Sequence, residues 1–554
     1  MERSSSIREL PRPVRFTDSL AIRSPLGLLK ATALFGLFLA FQVVSHGPLL
    51  RLPYFWDEAG YYVPAARDLA QGSLIPHSTP SNAHPPLVLA WLALCWKIFG
   101  QSAIVTRCAM LALAAFSLLG LFRLASAATN YTVATCTSVL TAIYPVFFAQ
   151  SSLALVDLPA AGLIFWGLEA YLRRRPVAMV VWFSLAALAK ETAILAPIGI
   201  FLWQLVSGKL SNGKRGLELS LAFPAPSFTL LLPIAPLIVW FAYHYARTGF
   251  VFGNPEFFEY NVHGTLHPLR IGLALLLRTW QTIGYPNLYV LTGAALLAMK
   301  FPALEDPNGP RPRIHVSLQL TLLAVALIYI FALSIFGGAV LARYMLPVVP
   351  LVILISVSTM WRRLKPWKTI LAIVAGAFIA ALFVNPPYGF SPEDNLAYSD
   401  YVRLHRRAEA FLEDSHPRAR VLTAWPASDE LSRPYLGYVD QAFKVIRIDD
   451  FTAEQLLSAA DARLPFDVAL VFSTKYQPPH SIFDRWRRWR EWKTRYFGYH
   501  VDLTPEAAAS ILGGSLVYVE HRRGQWVGLV DVPKTEEAQL RSDGRRGSRK
   551  TRAQ

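Results

Sequence analysis

Two adjacent acids, Asp57-Glu58, are the residues whose types and setting best suit chemistry in this sequence. They follow the first hydrophobic segment and stand in the aromatic stretch YFWDEAGYY, which includes Tyr61. Carboxylates beside a bilayer cost free energy and are seldom kept there without a task. A carboxylate can deprotonate an acceptor hydroxyl or amine, and two acids could hold a divalent cation beside a phosphate leaving group. The alternative is an acidic turn that caps the helix expected over about 59–71, because acids favour helix N-termini.

Other charged or polar groups at the edges of apolar runs are further candidates. His84 precedes two prolines and could bind an anionic headgroup, or be an ordinary loop histidine. Asp157 could serve a site or cap the helix that follows it. The pair Lys190-Glu191 interrupts an apolar run, where ionisable residues are functional by default, although the two could simply offset each other's charge. Arg343-Tyr344 opens another apolar run; a guanidinium there matches a phosphate, or snorkels to headgroups.

The composition is that of a polytopic membrane protein. The 554 residues are 53% hydrophobic and 16% charged, and the mean hydropathy is +0.34. The net charge of +17 comes from Lys and Arg that gather in short joints and in the two tails, where they orient a membrane protein. No recognition motif accompanies this charge, so nucleic-acid binding is not expected. The three cysteines lie in apolar runs without metal-ligand spacing, which predicts free buried thiols.

Apolar runs long enough to cross a bilayer predict a helical membrane domain over 26–385 with about eleven spans. They lie at about 26–45, 104–126, 131–152, 158–173, 177–190, 192–207, 219–245, 283–299, 315–336, 343–361 and 368–385. The first is interpreted as an uncleaved span. If the run 85–99 also crossed the bilayer, the basic joints that follow it would fall on the outer side. We therefore interpret it as re-entrant or interfacial.

The positions of Lys and Arg set the expected orientation. The basic N-terminus (1–25) and the joints at 173–175, 209–215, 311–313 and 362–365 should be cytoplasmic. Asp57, Asp157, the Lys190-Glu191 tip and Arg343 then all fall on the outer side, where the loop 46–103 would be the catalytic loop.

The chain turns polar beyond residue 385 and predicts a soluble α/β domain over 386–534 on the outer side. Expected strands lie at 420–426, 444–449 and 466–472, with helical stretches near 400–414 and 453–463. This domain could select or dock an acceptor. The basic tail 535–554 has the composition of a disordered segment.

Several motifs are absent from the sequence. It has no G-x-x-x-x-G-K-[ST] phosphate-binding loop, no H-E-x-x-H zinc motif and no G-x-S-x-G nucleophile elbow. These absences argue against ATP-driven transport, zinc-dependent proteolysis and hydrolysis by an α/β-hydrolase serine, respectively. A secondary transporter should show two related halves with interrupted helices. One large acidic outer loop after the first helix fits that pattern poorly.

The ordered set YFWDEAGYY, AHPPL, LVDLPAAG, LAKET and ARYMLP resembles the polyprenyl-phosphate-dependent GT-C glycosyltransferases. These include the protein O-mannosyltransferases and the bacterial transferases that add aminoarabinose or other sugars to lipid A. The resemblance covers about two-thirds of the chain. It implies transfer of a sugar, with inversion, from a polyprenyl phosphate to an acceptor on the outer face.

The resemblance also implies roles for individual residues. Asp57 would be the base, with Glu58 assisting it or holding a metal, and Asp157 would be the second acid. Arg343 matches an R-Y-x-x-P motif that could bind the carrier phosphate. The aminoarabinose transferases have a lysine before the paired prolines, where this chain has His84, and this difference leaves the sugar open. No metal or other cofactor is required by the pattern, although a divalent cation is compatible with it.

The sequence therefore predicts a glycosyltransferase of the cell envelope, in a bacterial inner membrane, that acts on lipid A, another glycan or a protein. Lys190, Glu191, Tyr344 and Tyr61 are expected to help His84 and Arg343 bind substrate. Two other classes remain: a non-catalytic transporter or flippase of lipid-linked sugars, and a membrane scaffold in which the acids only cap a helix.

Overall fold

The computed structural model describes residues 25–211, 228–307, 309–462, 464–478 and 485–533. Several expectations lie wholly or partly outside the described residues. They are the basic N-terminus, most of the 209–215 joint, the start of the 219–245 run, residue 463 at the end of an expected helix, and the basic tail.

Helices make up most of the described chain, and they are numbered here in chain order. They are α1 Pro25–Ser45, α2 Val63–Ala70, α3 Leu87–Phe99, α4 Ala103–Ala128, α5 Tyr131–Ile143, α6 Pro145–Ser152, α7 Asp157–Leu172, α8 Pro176–Ala189, α9 Leu195–Ser211, α10 Ile234–Thr248, α11 Pro255–Asn261, α12 Pro268–Ile283, α13 Leu288–Ala298, α14 Val316–Ile335, α15 Val349–Arg363, α16 Trp367–Phe383, α17 Ala397–Ser415, α18 Ala427–Ser432, α19 Ala453–Asp461, α20 Arg487–Phe497 and α21 Pro505–Leu512.

Four helical stretches of the described chain are long and apolar enough to cross a membrane: Gly27–Ser45, Ala103–Ala128, Phe228–Thr248 and Val316–Ile335. The helices α5 and α6 make a fifth if they count as one span, although they bend by 67°. The bend lies at Tyr144-Pro145, because a proline ring disfavours helical backbone in the residue before it. The expected spans at 177–190, 192–207, 283–299 and 368–385, and the run 85–99, are shorter apolar helices, so the number eleven stays a prediction.

The helix α4 is the centre of the membrane domain and packs against α1, α3, α5, α6 and α7. Inside this packing, Arg123 of α4 pairs with Glu169 of α7 at 2.8 Å, and Arg173 pairs with the same carboxylate at 2.7 Å. The loop after α1 returns to this bundle through a single π-helical turn, Glu58–Tyr62, which runs directly into α2.

A five-stranded sheet forms the centre of the C-terminal region, in the order β4-β3-β5-β7-β6. Its strands are β3 Arg420–Ala424, β4 Lys444–Ile448, β5 Val468–Phe472, β6 Ser515–Arg522 and β7 Gln525–Asp531, and a small pair, β1 Glu305–Asp306 and β2 Gly309–Pro310, lies elsewhere. The strands β4, β3 and β5 are parallel, and β7 is antiparallel to both of its neighbours. Every residue of β5 is buried, which fits its apolar sequence VALVF, since a central strand is covered on both faces.

The three strands expected from the sequence are present, and the β6–β7 hairpin adds two that were not expected. The helix α17 packs against both strands of that hairpin. Since α17 begins fourteen residues after α16 ends, the hairpin and α17 hold the sheet close to the end of the membrane domain.

Candidate active site

One buried guanidinium gathers three carboxylates from distant parts of the chain. Arg343 lies in the short helical turn Ala342–Met345 and is 3% exposed. Its Nη2 donates to Asp57 Oδ2 at 2.5 Å, its Nε lies 3.2 Å from Asp157 Oδ2, and its Nη1 is paired with Glu393. A charge at this depth persists only when it is paired, so Arg343 fixes the positions of all three acids.

Lys190 and Tyr344 extend this cluster. The Lys190 ammonium is paired with Asp157 and lies 3.9 Å from the centre of the Tyr344 ring. The guanidinium carbons of Arg278 and Arg343 lie 5.3 and 5.5 Å from the same ring. Cations within about 6 Å of an aromatic face are attracted to it, so Tyr344 brings three positive groups together at one place.

His84 and Glu191 form a second pair at the border of the cluster. His84 Nδ1 lies 2.7 Å from Glu191 Oε2, and both side chains are partly exposed. The His84 ring stacks on Tyr62 at 6.0 Å with an angle of 15° between the planes. The neighbours Lys190 and Glu191 thus turn to different partners, Asp157 and His84.

Glu58 and Asp57 are adjacent in sequence but differ in depth. The side chain of Asp57 is 23% exposed, whereas Glu58 is fully buried in an ion pair with Arg107. Glu58 also accepts hydrogen bonds from the backbone N–H of Phe55, at 2.8 Å, and of Ala154. Arg107 further donates to three backbone carbonyl groups, those of Ser152, Leu52 and Pro53. This arrangement ties the start of the loop to the segment between α6 and α7.

Replacing Glu58 by glutamine is expected to destabilise the folded protein by about 3–5 kcal/mol, because the buried Arg107 would lose its counter-charge. The midpoint of thermal unfolding in lipid nanodiscs measures this. The control is Glu491→Gln, which breaks the exposed pair with Arg487 and should cost at most about 0.5 kcal/mol. Equal midpoints for the two variants would contradict a structural role for Glu58.

Glu393 and Asp394 are site residues that the sequence analysis missed. They lie in the turn Pro392–Asp394, just after α16, and both are buried. Burial raises the pKa of Glu393 to about 8, despite the opposing effect of Arg343, and raises that of Asp394 to about 7. The Tyr285 hydroxyl donates to Asp394 Oδ2 at 2.6 Å. The signal was available, since this is a second acidic pair at a span end that the expected topology places on the outer side.

The backbone beside two site residues is strained. Trp56 has φ of +45° and Ala83 has φ of +56°, and they directly precede Asp57 and His84. Residues other than glycine adopt positive φ at a cost of about 1–3 kcal/mol, and such strain clusters at functional sites. Both strained residues therefore lie directly beside residues of the candidate site.

The C-terminal region covers the aromatic part of the loop. Trp425 follows β3, and its ring centre lies 5.5 Å from those of both Trp56 and Tyr61. A Cβ added to Gly60 would lie 2.5 Å from the indole ring of Trp425, so only glycine permits this approach. The Tyr438 hydroxyl also donates to the Tyr54 carbonyl at 3.0 Å. The loop and the sheet domain therefore form one continuous structure.

Comparison with solved structures shows the fold. The chain is similar to ArnT from Cupriavidus metallidurans bound to undecaprenyl phosphate, with 14% identity, a TM-score of 0.52, and coverage of 91% of this chain and 99% of that chain. It is also similar to the apo state of the same ArnT (14%, 0.48, 90% and 98%). A more distant similarity is to the Archaeoglobus fulgidus oligosaccharyltransferase in complex with Zn and sulfate (12%, 0.40, 76% and 64%). No protein-family model and no curated protein sequence matches the chain.

ArnT is a lipid A aminoarabinose transferase and a GT-C glycosyltransferase. The similarity to it extends over nearly the full length of both chains. The chain therefore has the GT-C fold, as the resemblance of its motifs predicted, and with its apolar helices it is an integral membrane protein.

Proposed function

We propose that this chain is a membrane glycosyltransferase that moves a sugar from a polyprenyl-phosphate donor to an acceptor, with inversion. The observation that carries the proposal is the partly exposed Asp57 carboxylate, held by Arg343 in a chain that has the GT-C fold. The ArnT structure with this fold was solved with undecaprenyl phosphate bound, which supports a polyprenyl-phosphate donor.

The proposed reaction is a single displacement. Asp57 takes the proton of the acceptor hydroxyl or amine, and the freed electron pair forms a bond to the anomeric carbon. The bond from that carbon to the phosphate oxygen breaks, and the polyprenyl phosphate leaves with the electron pair. Asp57 is the base because the other two carboxylates on Arg343, those of Asp157 and Glu393, are almost fully buried.

The cations of the cluster are proposed to stabilise the leaving phosphate. Arg343 and Lys190 share Asp157 as a partner, so this acid holds them side by side. A phosphate that reaches Arg343 competes with its carboxylates for the guanidinium, and Asp57 is the most exposed of them. Binding of the donor would thus loosen Asp57 from Arg343 at the moment when it must accept a proton.

The remaining predicted site residues are proposed to contact substrate or to position Asp57. His84 and Glu191 lie at the edge of the cation cluster, and Tyr344 lies between its cations. All three are proposed to contact the donor. Tyr61 lies beside Trp425, where an acceptor would enter. Glu58 is proposed to be a positioning residue. It is a poor ligand for a cation shared with Asp57, because Arg107 and two N–H groups already occupy it, so no step is assigned to a metal.

The location of the reaction is also a proposal. The distribution of Lys and Arg favours eleven spans, an extracytoplasmic site and an extracytoplasmic C-terminal domain in a bacterial inner membrane. Lipid A, another glycan and a protein all remain candidate acceptors. A role for the C-terminal domain in acceptor choice is supported by Trp425, which borders the loop that bears Asp57.

Deleting residues 390–554 would not isolate that role, because the deletion also removes Glu393 from Arg343. Trp425→Phe is the sharper variant, since it shrinks the ring that faces Tyr61 and leaves the ion pairs in place. If the domain helps to choose the acceptor, this variant should raise KM for the acceptor more than it lowers kcat.

The enzyme is tested with purified full-length protein in proteoliposomes. Radiolabelled sugars on polyprenyl phosphates are supplied with a crude envelope fraction as acceptor, and label that passes to the acceptor is counted against protein-free vesicles. A flippase would instead move the labelled lipid between leaflets without transfer, which a membrane-impermeant periodate treatment detects. Transbilayer movement without transfer, for every donor that is moved, would overturn the proposal.

The pH dependence of transfer should report on Glu393. With its pKa raised to about 8, Glu393 is mostly protonated at pH 7 and accepts the Arg343 hydrogen bond as a carboxyl group. A third negative charge beside Arg343 develops only as the pH rises through 8. That charge opposes a donor phosphate, so transfer should fall above about pH 8. The same proton stabilises the fold; this contribution is complete below about pH 4.5 and is lost as the pH rises to 8.

Glu393→Gln should extend the activity plateau above pH 8, and replacement of the partly exposed Glu520 by glutamine, in the sheet domain, should not. Initial rates between pH 6 and 9.5 measure this for both variants and for the wild type. A decline at the same pH in Glu393→Gln would assign the titration to another group.

A further inference from the structure

Three ligand-type side chains meet inside the C-terminal domain, away from Arg343 and its acids. His405 and Glu409 lie on α17, and Glu430 lies on α18. His405 Nδ1 is 2.7 Å from Glu430 Oε2 and 3.8 Å from Glu409 Oε1. One ligand atom of each residue lies within 4.8 Å of the other two, and no other such group of three occurs among the described residues.

Among the described residues, His405 is the only cationic partner that the two carboxylates of this group have. All three side chains are at most 1% exposed. In the part of the chain that the structure describes, neither Glu409 nor Glu430 forms an ion pair with Lys or Arg, and neither oxygen of Glu409 has a hydrogen-bond partner. A buried carboxylate without a partner is strongly unfavourable. The Glu409 carboxylate therefore points to a positive ligand.

The surroundings hold the three groups in place. The His405 ring stacks on Tyr401 at 3.8 Å and meets the edge of Phe472 at 4.6 Å. The Tyr401 hydroxyl donates to Glu430 Oε1 at 3.3 Å, which leaves the other oxygen toward His405. Residues i and i+4 share one face of a helix, so α17 presents His405 and Glu409 together to α18.

We propose that His405, Glu409 and Glu430 bind one divalent transition-metal ion, of which Zn²⁺ fits best. One imidazole nitrogen with two carboxylates is a donor set that Zn²⁺ accepts. The ion would join α17 to α18, and α18 begins two residues after Trp425. It would thereby hold the segment that places Trp425 over Gly60. The inference does not depend on the proposed transferase activity.

The test is the metal content of the full-length protein, purified in nanodiscs without chelator from zinc-supplemented cells. Mass spectrometry should find about one zinc per chain in the wild type and in Asp414→Asn, an exposed acid on the same helix. Glu409→Gln and His405→Ala should lose most of it. Wild-type protein that stays free of stoichiometric metal, even after incubation with Zn²⁺, would overturn the proposal and indicate a proton shared between the two glutamates.

A measurement on the wild type alone covers the case in which the variants do not fold. X-ray absorption at the zinc edge should show nitrogen and oxygen neighbours with the multiple scattering of one imidazole. Sulfur neighbours would place the zinc on a cysteine instead and would contradict the assignment. Variants that fold and keep the wild-type zinc content would contradict it as well.

Discussion

Replacing Asp57 by asparagine is expected to lower kcat for sugar transfer by about 10²–10⁴-fold, the usual contribution of a positioned base. Asparagine keeps the size of the side chain and can still accept a hydrogen bond from Arg343, but it cannot take a proton. The affinity for the donor should change little or rise, since a negative charge beside the phosphate is removed. Steady-state transfer in proteoliposomes, at matched amounts of folded protein, measures both quantities.

The matched control for Asp57→Asn is Asp467→Asn. Asp467 is also a partly exposed acid that pairs with an arginine, Arg420, at 3.1 Å, but it lies in the sheet domain away from the cluster. Its replacement should leave kcat within about twofold of the wild type, as is usual for surface pairs. Full activity in Asp57→Asn would remove Asp57 from the chemistry and favour the transporter interpretation.

Replacing Arg343 by glutamine is expected to abolish transfer and to destabilise the fold by about 3–5 kcal/mol, because Asp57 loses its counter-charge, Asp157 keeps only Lys190 and Glu393 loses its hydrogen-bond donor. The control is Arg407→Gln, which breaks the exposed pair with Glu520 and should cost at most about 1 kcal/mol. Thermal unfolding in nanodiscs compares the two variants.

Arg343→Lys separates charge from geometry. Lysine keeps the positive charge but lacks the planar fork that reaches three carboxylates at once. It should recover much of the stability lost in Arg343→Gln while transfer stays at least about tenfold below the wild type. A stable and fully active Arg343→Gln would show that the cluster is held by other contacts. It would also contradict the proposed role of Arg343 in binding the leaving phosphate.

The membership of the ion cluster was predictable in part. The positive-inside rule placed Asp57, Asp157, Lys190 and Arg343 on one side of the membrane, and the cost of charges beside a bilayer marked them as candidates. The structure brings them together. The pairing was not predictable, because adjacent residues on a turn project in different directions. Mutual offset of charge was one of the two alternatives left open for Lys190 and Glu191, yet they pair with Asp157 and His84 instead.

The burial of Glu58 shows the same limit. The sequence Asp57-Glu58 does not by itself indicate that the first acid is partly exposed and the second is buried. The difference arises from the π-helical turn Glu58–Tyr62 and from Arg107, a contact between residues 49 positions apart. Long-range ion pairs of this kind depend on how helices pack, which the hydrophobic pattern of a single segment does not encode.

The sheet of the C-terminal region was also predictable only in part. Short apolar runs predicted three strands of the sheet, whereas the β6–β7 hairpin was missed. The positions of β6 alternate between exposed and partly buried, but its residue types follow this alternation only weakly, and it ends in the polar residues Glu520, His521 and Arg522. Its partner β7 is buried throughout most of its length, so the hairpin is stabilised by α17 and β5 and not by a local pattern.

The separation of Arg343 from its partners along the chain has a consequence for biosynthesis. Arg343 follows Asp57 by 286 residues, and Glu393 follows Arg343 by 50. At about 5–20 residues per second, the ribosome needs about 15–60 s to supply the guanidinium after Asp57 has emerged. Until then the early acids remain without it, so the order of translation makes the cluster the last part of the membrane domain to assemble. In a polypeptide that is interrupted before residue 343, Asp157 and Glu58 have Lys190 and Arg107, but Asp57 lacks its cation; membrane proteases could distinguish the incomplete chain by this feature.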